Sequence, residues 1–110
     1  MKVSVVIPVY NEAENLEPLH QELRQALQTL DYELVYVDDG STDGSAEALA
    51  RFASQDPERV TSVLLRRNFG QTAAIAAGID HANGEIIVLI DADQQNDPAD
   101  IPALLAKIDE

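Results

Sequence analysis

Two carboxylates separated by one residue, Asp91 and Asp93, directly follow the apolar run of residues 86–90. If that run is a buried strand, the two side chains leave its end close together, and their like charges repel each other. A hard divalent cation such as Mg²⁺ or Mn²⁺ offsets this repulsion and keeps positions for phosphate oxygens and waters. Gln95 offers a further carbonyl oxygen. The pattern predicts a divalent-metal site; the alternative, turn carboxylates that cap the next helix, fits Asp97 better.

A second acidic pair, Asp38 and Asp39, follows the apolar run of residues 33–37. Such carboxylates can accept hydrogen bonds from base or ribose donors, the role that acidic residues take in dinucleotide-binding folds. The alternative is helix capping together with Ser41, because either Ser41 or Asp43 is a suitable N-cap for the helix that follows.

Basic residues are few, seven in all, yet two of them are adjacent at Arg66 and Arg67, after residues 60–65. The planar guanidinium group can bind a diphosphate through two parallel hydrogen bonds. The alternative is an ordinary exposed arginine pair. Tyr10, which follows residues 3–7, can stack on a base, unless it is a partly buried loop aromatic.

The elements that would position these groups alternate between short apolar runs and amphipathic stretches. This alternation predicts an α/β fold with a mostly parallel sheet of about four strands and helices on both faces, as in Rossmann-like proteins. Pro8 is expected to end the first strand, since proline cannot donate a ladder hydrogen bond. The predicted strands are residues 3–7, 33–37, 60–65 and 85–90, and the predicted helices are residues 14–30, 43–53, 72–81 and 98–108.

Each polar group named above follows a predicted strand. In an open parallel sheet, ligands bind beyond the carboxyl ends of the strands. The sequence therefore predicts one binding site, built from four loops at one edge of the sheet.

Composition narrows the class of partner. The chain has 110 residues and a formal net charge of −13, which argues against nucleic acid, because a phosphate backbone requires a basic surface. There is no cysteine, so disulfides and thiolate chemistry are excluded. Neither a signal peptide nor an apolar run of about 18 residues is present, so we expect a cytoplasmic setting without a membrane span in these residues.

Four ordered motifs carry a family likeness. They read VVIPVYNE at residues 5–12, VDDGSTD at 37–43, RNFGQ at 67–71 and DADQQNDP at 91–98. In this order the chain resembles family 2 glycosyltransferases of the GT-A fold, and within them the polyprenyl-phosphate (dolichol- or undecaprenyl-phosphate) hexose synthases.

The resemblance implies a site for a UDP- or GDP-sugar with a divalent metal, Mg²⁺ or Mn²⁺. It places three residues in the nucleoside pocket, Pro8, Tyr10 and Glu12, and assigns Asp39 to the base. It also implies that the enzyme inverts the anomeric configuration and that a lipid phosphate accepts the sugar, at the cytoplasmic face of the membrane. Asp91 would contact the ribose and metal region, with Asp93 and Gln95 as metal ligands.

The resemblance further implies that residues 1–110 are the nucleotide-sugar-binding half of a longer GT-A domain, which continues into an acceptor-binding half. No residue of this half is assigned as catalytic. One alternative is a nucleotide-binding module without turnover. Another is a phosphorylation receiver domain, but in receivers the acidic pair follows the first strand. A nucleotidyltransferase would require a glycine-rich basic loop directly after that strand.

Overall fold

The computed structural model describes residues 2–93 and 97–108. Strands and helices alternate through these residues, which confirms the predicted α/β fold. The strands are β1 (Val3–Val9), β2 (Tyr32–Asp38), β3 (Val60–Leu64) and β4 (Ile86–Leu89), and the helices are α1 (Ala13–Leu27), α2 (Ser45–Gln55), α3 (Gln71–His81) and α4 (Asp100–Ile108).

The four strands form one parallel sheet in the order β3-β2-β1-β4. All four carboxyl ends therefore lie at the same edge, called here the carboxyl edge. The opposite edge, where the strands begin, is called the amino edge.

Alternate residues of the strands pack on opposite faces of the sheet. Val5 and Ile7 of β1 belong to the larger core cluster, which includes leucines of α1 and side chains of α2 and α4. Val6 belongs to a smaller cluster with Val35, Val37 and Ala74 of α3. Helices thus cover both faces, as predicted, with α3 on one face and the other three on the opposite face.

The prediction that Pro8 ends the first strand is wrong, because β1 continues through Pro8 to Val9. The backbone N–H of Val3 bonds toward β2, to the carbonyl of Asp31, so N–H groups at even positions of β1 are directed toward β4. Pairing with β4 ends at Val6. The missing N–H of Pro8 therefore removes no ladder hydrogen bond.

A buried histidine lies in the larger cluster, between α1, β2 and α2. His20 is stacked on Phe52, with ring centroids 4.0 Å apart, and its Nδ1 lies 2.7 Å from the Tyr36 hydroxyl. Burial, with a contribution from the charge of Arg24, lowers the pKa of His20 to about 4. His20 is therefore neutral near pH 7 and serves packing.

The segment before α4 shows the predicted Asx cap in modified form. Asp97 accepts a hydrogen bond from the Ala99 backbone N–H through Oδ1 (3.0 Å), whereas α4 itself begins at Asp100. In the described part of the chain, no helix has the length and apolar character needed to cross a membrane.

Candidate functional site

A cavity of about 320 Å³ opens at the carboxyl edge, close to the lower end of the roughly 300–1,000 Å³ range of ligand pockets. The segments after all four strands contribute to its wall. The lining residues are Pro8, Val9, Tyr10, Glu12, Asp39, Asn68, Gly70, Gln71, Asp91, Ala92 and Asp93.

The loop between β1 and α1, which carries Tyr10 and Glu12, is held by side chains of the β2–α2 loop and of the first residue of α2. Three consecutive backbone N–H groups, of residues 11 to 13, donate to these side chains. The acceptors, in order, are Ser41 Oγ (2.9 Å), Ser45 Oγ (3.1 Å) and Asp43 Oδ2 (3.2 Å). Since early N–H groups of a helix lack partners within the helix, these bonds both complete α1 and position the cavity wall.

Asp43 also serves α2. Its Oδ1 accepts from the backbone N–H of Ser45 at 3.0 Å, and the Ser45 hydroxyl, at 2.6 Å, is the main cause that lowers the pKa of Asp43. The prediction that Ser41 or Asp43 is the N-cap of α2 is wrong, because Gly44 occupies that position. Asp43 bonds the first residue of the helix, while Ser41 Oγ accepts from the β1–α1 loop.

Asp39 holds the loop between β3 and α3. The residue is 4% exposed, and its two oxygens accept the backbone N–H groups of Phe69 (2.8 Å) and Gly70 (3.1 Å). The helix-capping alternative is therefore wrong for Asp39. An ionised carboxylate has about four acceptor positions, so two of them remain for other donors at the cavity.

Asp38 faces the opposite side of the sheet. It is 2% exposed, and its Oδ2 accepts from the Ser41 backbone N–H at 3.0 Å, in keeping with the turn and capping alternative. Its Oδ1 has no hydrogen-bond partner among the described residues. The strand alternation thus gives the two neighbouring aspartates different surroundings.

Gly40 allows the β3–α3 loop to approach β2. Its φ is +76°, and a Cβ at this position would collide with the backbone of Arg67 and Asn68. Asp39 and Gly40 together fix this loop, one by hydrogen bonding and the other by the absence of a side chain.

Arg67 is exposed and does not belong to the described lining of the cavity. Its guanidinium carbon lies 4.7 Å from the centroid of the Phe69 ring, a cation–π distance. Tyr10, in contrast, lines the cavity and is 47% exposed. Diphosphate binding by Arg67 stays a prediction.

Asp91 and Asp93 both line the cavity, and Gln71 Nε2 donates to Asp91 Oδ1 at 3.1 Å. Among residues 2–93 and 97–108, no group of three or more His, Cys, Asp or Glu side chains could hold a metal ion. Two carboxylates that line the same cavity nevertheless fit Mg²⁺ or Mn²⁺, which proteins often hold with one or two carboxylates plus substrate phosphates and waters. The third predicted ligand, Gln95, lies outside the described residues.

No role was predicted for Gln71, although it lies within the RNFGQ motif. The sequence feature that could have identified Gln71 is its position, as a polar residue at the start of a helix that begins at the carboxyl edge.

A sequence profile of glycosyl transferase family 2 matches residues 4–110. The chain belongs to this family. This family match excludes the receiver-domain alternative.

Named relatives support the same assignment. The chain is 48% identical to the undecaprenyl-phosphate 4-deoxy-4-formamido-L-arabinose transferase of Salmonella choleraesuis (strain SC-B67), over 99% of this chain and 34% of that protein. Its fold is similar to the mannosyltransferase PcManGT of Pyrobaculum calidifontis, solved with GDP-Man and Mn²⁺, with a TM-score of 0.81, 33% identity and coverage of 96% of this chain and 31% of that one.

A second solved structure has the same TM-score and a lower sequence identity. S. aureus TarS 1-349 in complex with UDP-GlcNAc matches with a TM-score of 0.81 and 26% identity, over 99% of this chain and 31% of that chain. The 110 residues thus span about a third of the length of these relatives.

Proposed function

We propose that the protein containing this chain is a metal-dependent, inverting glycosyltransferase that moves a hexose from a UDP- or GDP-sugar to a polyprenyl phosphate. The observation that carries the proposal is the cavity at the carboxyl edge, which brings an exposed aromatic ring, a buried carboxylate and the Asp91/Asp93 pair to one place. The relative at 48% identity, named for transfer to undecaprenyl phosphate, supports the choice of acceptor. Residues 1–110 are proposed to be the donor-binding half.

The nucleoside end of the donor is proposed to lie between Tyr10 and Asp39. Tyr10 is half-exposed at the cavity, so a base can stack on its ring. Asp39 retains acceptor positions for a base N–H, as its bonds to the β3–α3 loop occupy one position on each oxygen. Pro8 and Glu12 complete this part of the wall.

The diphosphate end is proposed to lie against Asp91 and Asp93. These carboxylates would repel the phosphates, so Asp91 and Asp93 would hold a divalent cation whose charge offsets the repulsion. When bound, such a cation acts as a Lewis acid that stabilises the departing nucleoside diphosphate. The neighbour solved with GDP-Man and Mn²⁺ supports this part of the proposal.

Direct displacement at the anomeric carbon by the acceptor oxygen forms the new glycosidic bond as the bond to the nucleoside diphosphate breaks. A lipid phosphate oxygen is already anionic, so it needs no strong general base to become a nucleophile. This part of the chain is therefore assigned to binding and orienting the donor.

The proposal is tested by transfer of radiolabelled sugar from UDP- and GDP-sugars to undecaprenyl phosphate by the full-length protein, with Mg²⁺ or Mn²⁺. Asp93→Ala is expected to lower the rate at least about a hundredfold, because metal stabilisation of the leaving group supplies several kcal/mol. The matched control is Asp100→Ala, an exposed aspartate in the first turn of α4, and it should retain the wild-type rate. Full activity of Asp93→Ala, or of the wild type in excess EDTA, would contradict the assignment.

A further inference from the structure

Gln71 connects two sides of the cavity. Its amide Nε2 donates to Asp91 Oδ1 at 3.1 Å, although Gln71 is the first residue of α3 and Asp91 follows β4. Both side chains line the cavity, together with Asp93.

The position of Gln71 is set by the loop that precedes it. The backbone N–H groups of Phe69 and Gly70 are held by Asp39, and Gly70 turns the chain into α3 with a φ of +104°. A continuous path of contacts therefore runs from Asp39, through this loop and Gln71, to Asp91.

The chemistry of the contact suits a cation site. An amide N–H is a neutral donor, so it orients a carboxylate without cancelling its negative charge. A lysine or arginine at this position would also hold the carboxylate, but its positive charge would repel a divalent cation. Glutamate would repel Asp91 itself.

We propose that Gln71 is a positioning residue, which holds the Asp91 carboxylate for a divalent cation and links the cation end of the cavity to the base end. This inference rests on the proposed function, since it presumes that a nucleotide and a cation bind in this cavity. We expect Gln71 to affect the cation-dependent part of donor binding and to leave the contacts made by the base unchanged.

The test is calorimetric titration of the full-length protein with UDP and GDP, each with Mn²⁺ and with EDTA. The measured quantity is the metal-dependent gain, the ratio of the affinities with and without Mn²⁺. Gln71→Met keeps the length of the side chain and removes the donor. We expect it to lower the gain about three- to tenfold, as for the loss of a hydrogen bond to a charged group, and to change the EDTA affinity less than about twofold.

A matched control is Thr72→Val, which removes a polar group from the next residue of α3, exposed and outside the described cavity lining. Its gain should equal that of the wild type. Gln71→Lys gives a second measurement, in which the gain falls while the EDTA affinity rises, because the ammonium group attracts the diphosphate in place of the cation.

Three results would overturn the inference. An unchanged gain in both Gln71 variants would show that the contact does not serve the cation. Equal losses with Mn²⁺ and with EDTA in Gln71→Met would show that the residue maintains the loop or binds the nucleotide instead. A wild-type protein that binds neither nucleotide would overturn the proposed function as well, whereas a wild-type gain that survives in the variants overturns this inference alone.

Discussion

A buried carboxylate lies near each end of strand β2, Glu33 within the strand and Asp39 directly after it. Glu33 at the amino edge is 5% exposed and Asp39 at the carboxyl edge is 4% exposed. Both lie on the α3 face of the sheet, and each accepts backbone N–H groups from a segment next to α3. Glu33 accepts from Asn83 after the helix, and Asp39 accepts from Phe69 and Gly70 before it.

The surroundings of the two carboxylates differ. Glu33 also accepts from the Ser4 hydroxyl, which in turn accepts the Gly84 N–H at 2.7 Å, so its neighbours form a closed network. Burial raises the pKa of Glu33, but the hydrogen bonds from Ser4 and Asn83, aided by the charge of Lys2, outweigh burial and leave the pKa below its usual value.

Asp39 does the same structural task beside a cavity. A buried carboxylate that holds backbone is therefore no functional signal by itself. What distinguishes the carboxyl edge is that the ends of β1 and β4 bring Tyr10, Asp91 and Asp93 to the same place.

Neutralising each carboxylate without changing its shape should separate the two roles, and Asp39→Asn should have the larger effect. We expect it to lower the affinity for UDP or GDP at least about tenfold and the free energy of unfolding by about 2–3 kcal/mol, because an amide nitrogen would face a backbone donor. Calorimetric titration and urea unfolding measure the two effects. Wild-type affinity in Asp39→Asn would remove this residue from the base site.

The close approach at Gly40 provides a second test, in which the main effect is on stability. Gly40→Ala should cost about 3 kcal/mol of unfolding free energy, from the left-handed backbone and the collision with Arg67 and Asn68. The matched control is Gly44→Ala. Gly44 has a φ of +100°, and the nearest atom to an added Cβ is Glu47 Oε2 at 3.9 Å, so only the backbone cost of about 1 kcal/mol applies.

Gly40→Ala should also weaken nucleotide binding, and Gly44→Ala should not. Equal losses of unfolding free energy in the two variants would show that the β3–α3 loop yields to the added methyl group. In that case the loop is not fixed by β2 as described.

At the amino edge, we expect a loss of stability without a loss of nucleotide affinity. Glu33→Gln is expected to lower the free energy of unfolding by about 2 kcal/mol, because the charge-assisted bonds to Ser4 and Asn83 weaken. Its UDP or GDP affinity should stay within about twofold of the wild type. A variant that unfolds normally but loses nucleotide binding would contradict the separation of the two edges.

A smaller expected effect is the dependence of the unfolding free energy on pH. Protonation of His20, with a pKa lowered from 6.5 to about 4, favours the unfolded chain, so stability is lost as the pH falls from 6.5 toward 4. Glu33, with a pKa below 4.5, contributes stability that is lost only at lower pH. Urea unfolding at pH 7 and pH 5 should show a loss of about 1–2 kcal/mol.

His20→Gln, which keeps a polar group near the Tyr36 hydroxyl, should abolish most of this difference between pH 7 and pH 5. Glu33→Gln should leave it unchanged. If Glu33→Gln flattened the pH dependence in this range, the assignment of the two titrations would be reversed.

Much of the fold followed from local pattern. The alternation of apolar and amphipathic stretches predicted every strand and helix that the described residues form, since hydrophobic periodicity reflects burial directly. The end of β1 was mispredicted because the cost of Pro8 depends on which neighbour its N–H would face, and that requires the strand order. Proline cannot donate a ladder hydrogen bond, but β1 no longer pairs with β4 at position 8, so no such bond is lost.

At the site, the polar residues that follow the strands were predicted to lie at one edge of the sheet. In the structure, one cavity at that edge is lined by Pro8, Tyr10, Glu12, Asp39, Asp91 and Asp93. Contacts between the loops could not be predicted from the sequence. The bond from Gln71 to Asp91 and the stacking of Arg67 on Phe69 depend on side-chain directions in three dimensions. Asp38 and Asp39 differ because neighbouring residues of a strand face opposite sides.

We assign binding of the donor nucleotide to the carboxyl edge and not to the amino edge. Hydrogen exchange of the full-length protein tests this assignment most directly, with saturating UDP or GDP and Mn²⁺ compared with neither. We predict slower exchange in peptides that cover residues 8–12, 67–71 and 91–93, and unchanged exchange at Asn83 and Gly84. Protection confined to the amino edge, or none at either edge with both nucleotides, would contradict the account.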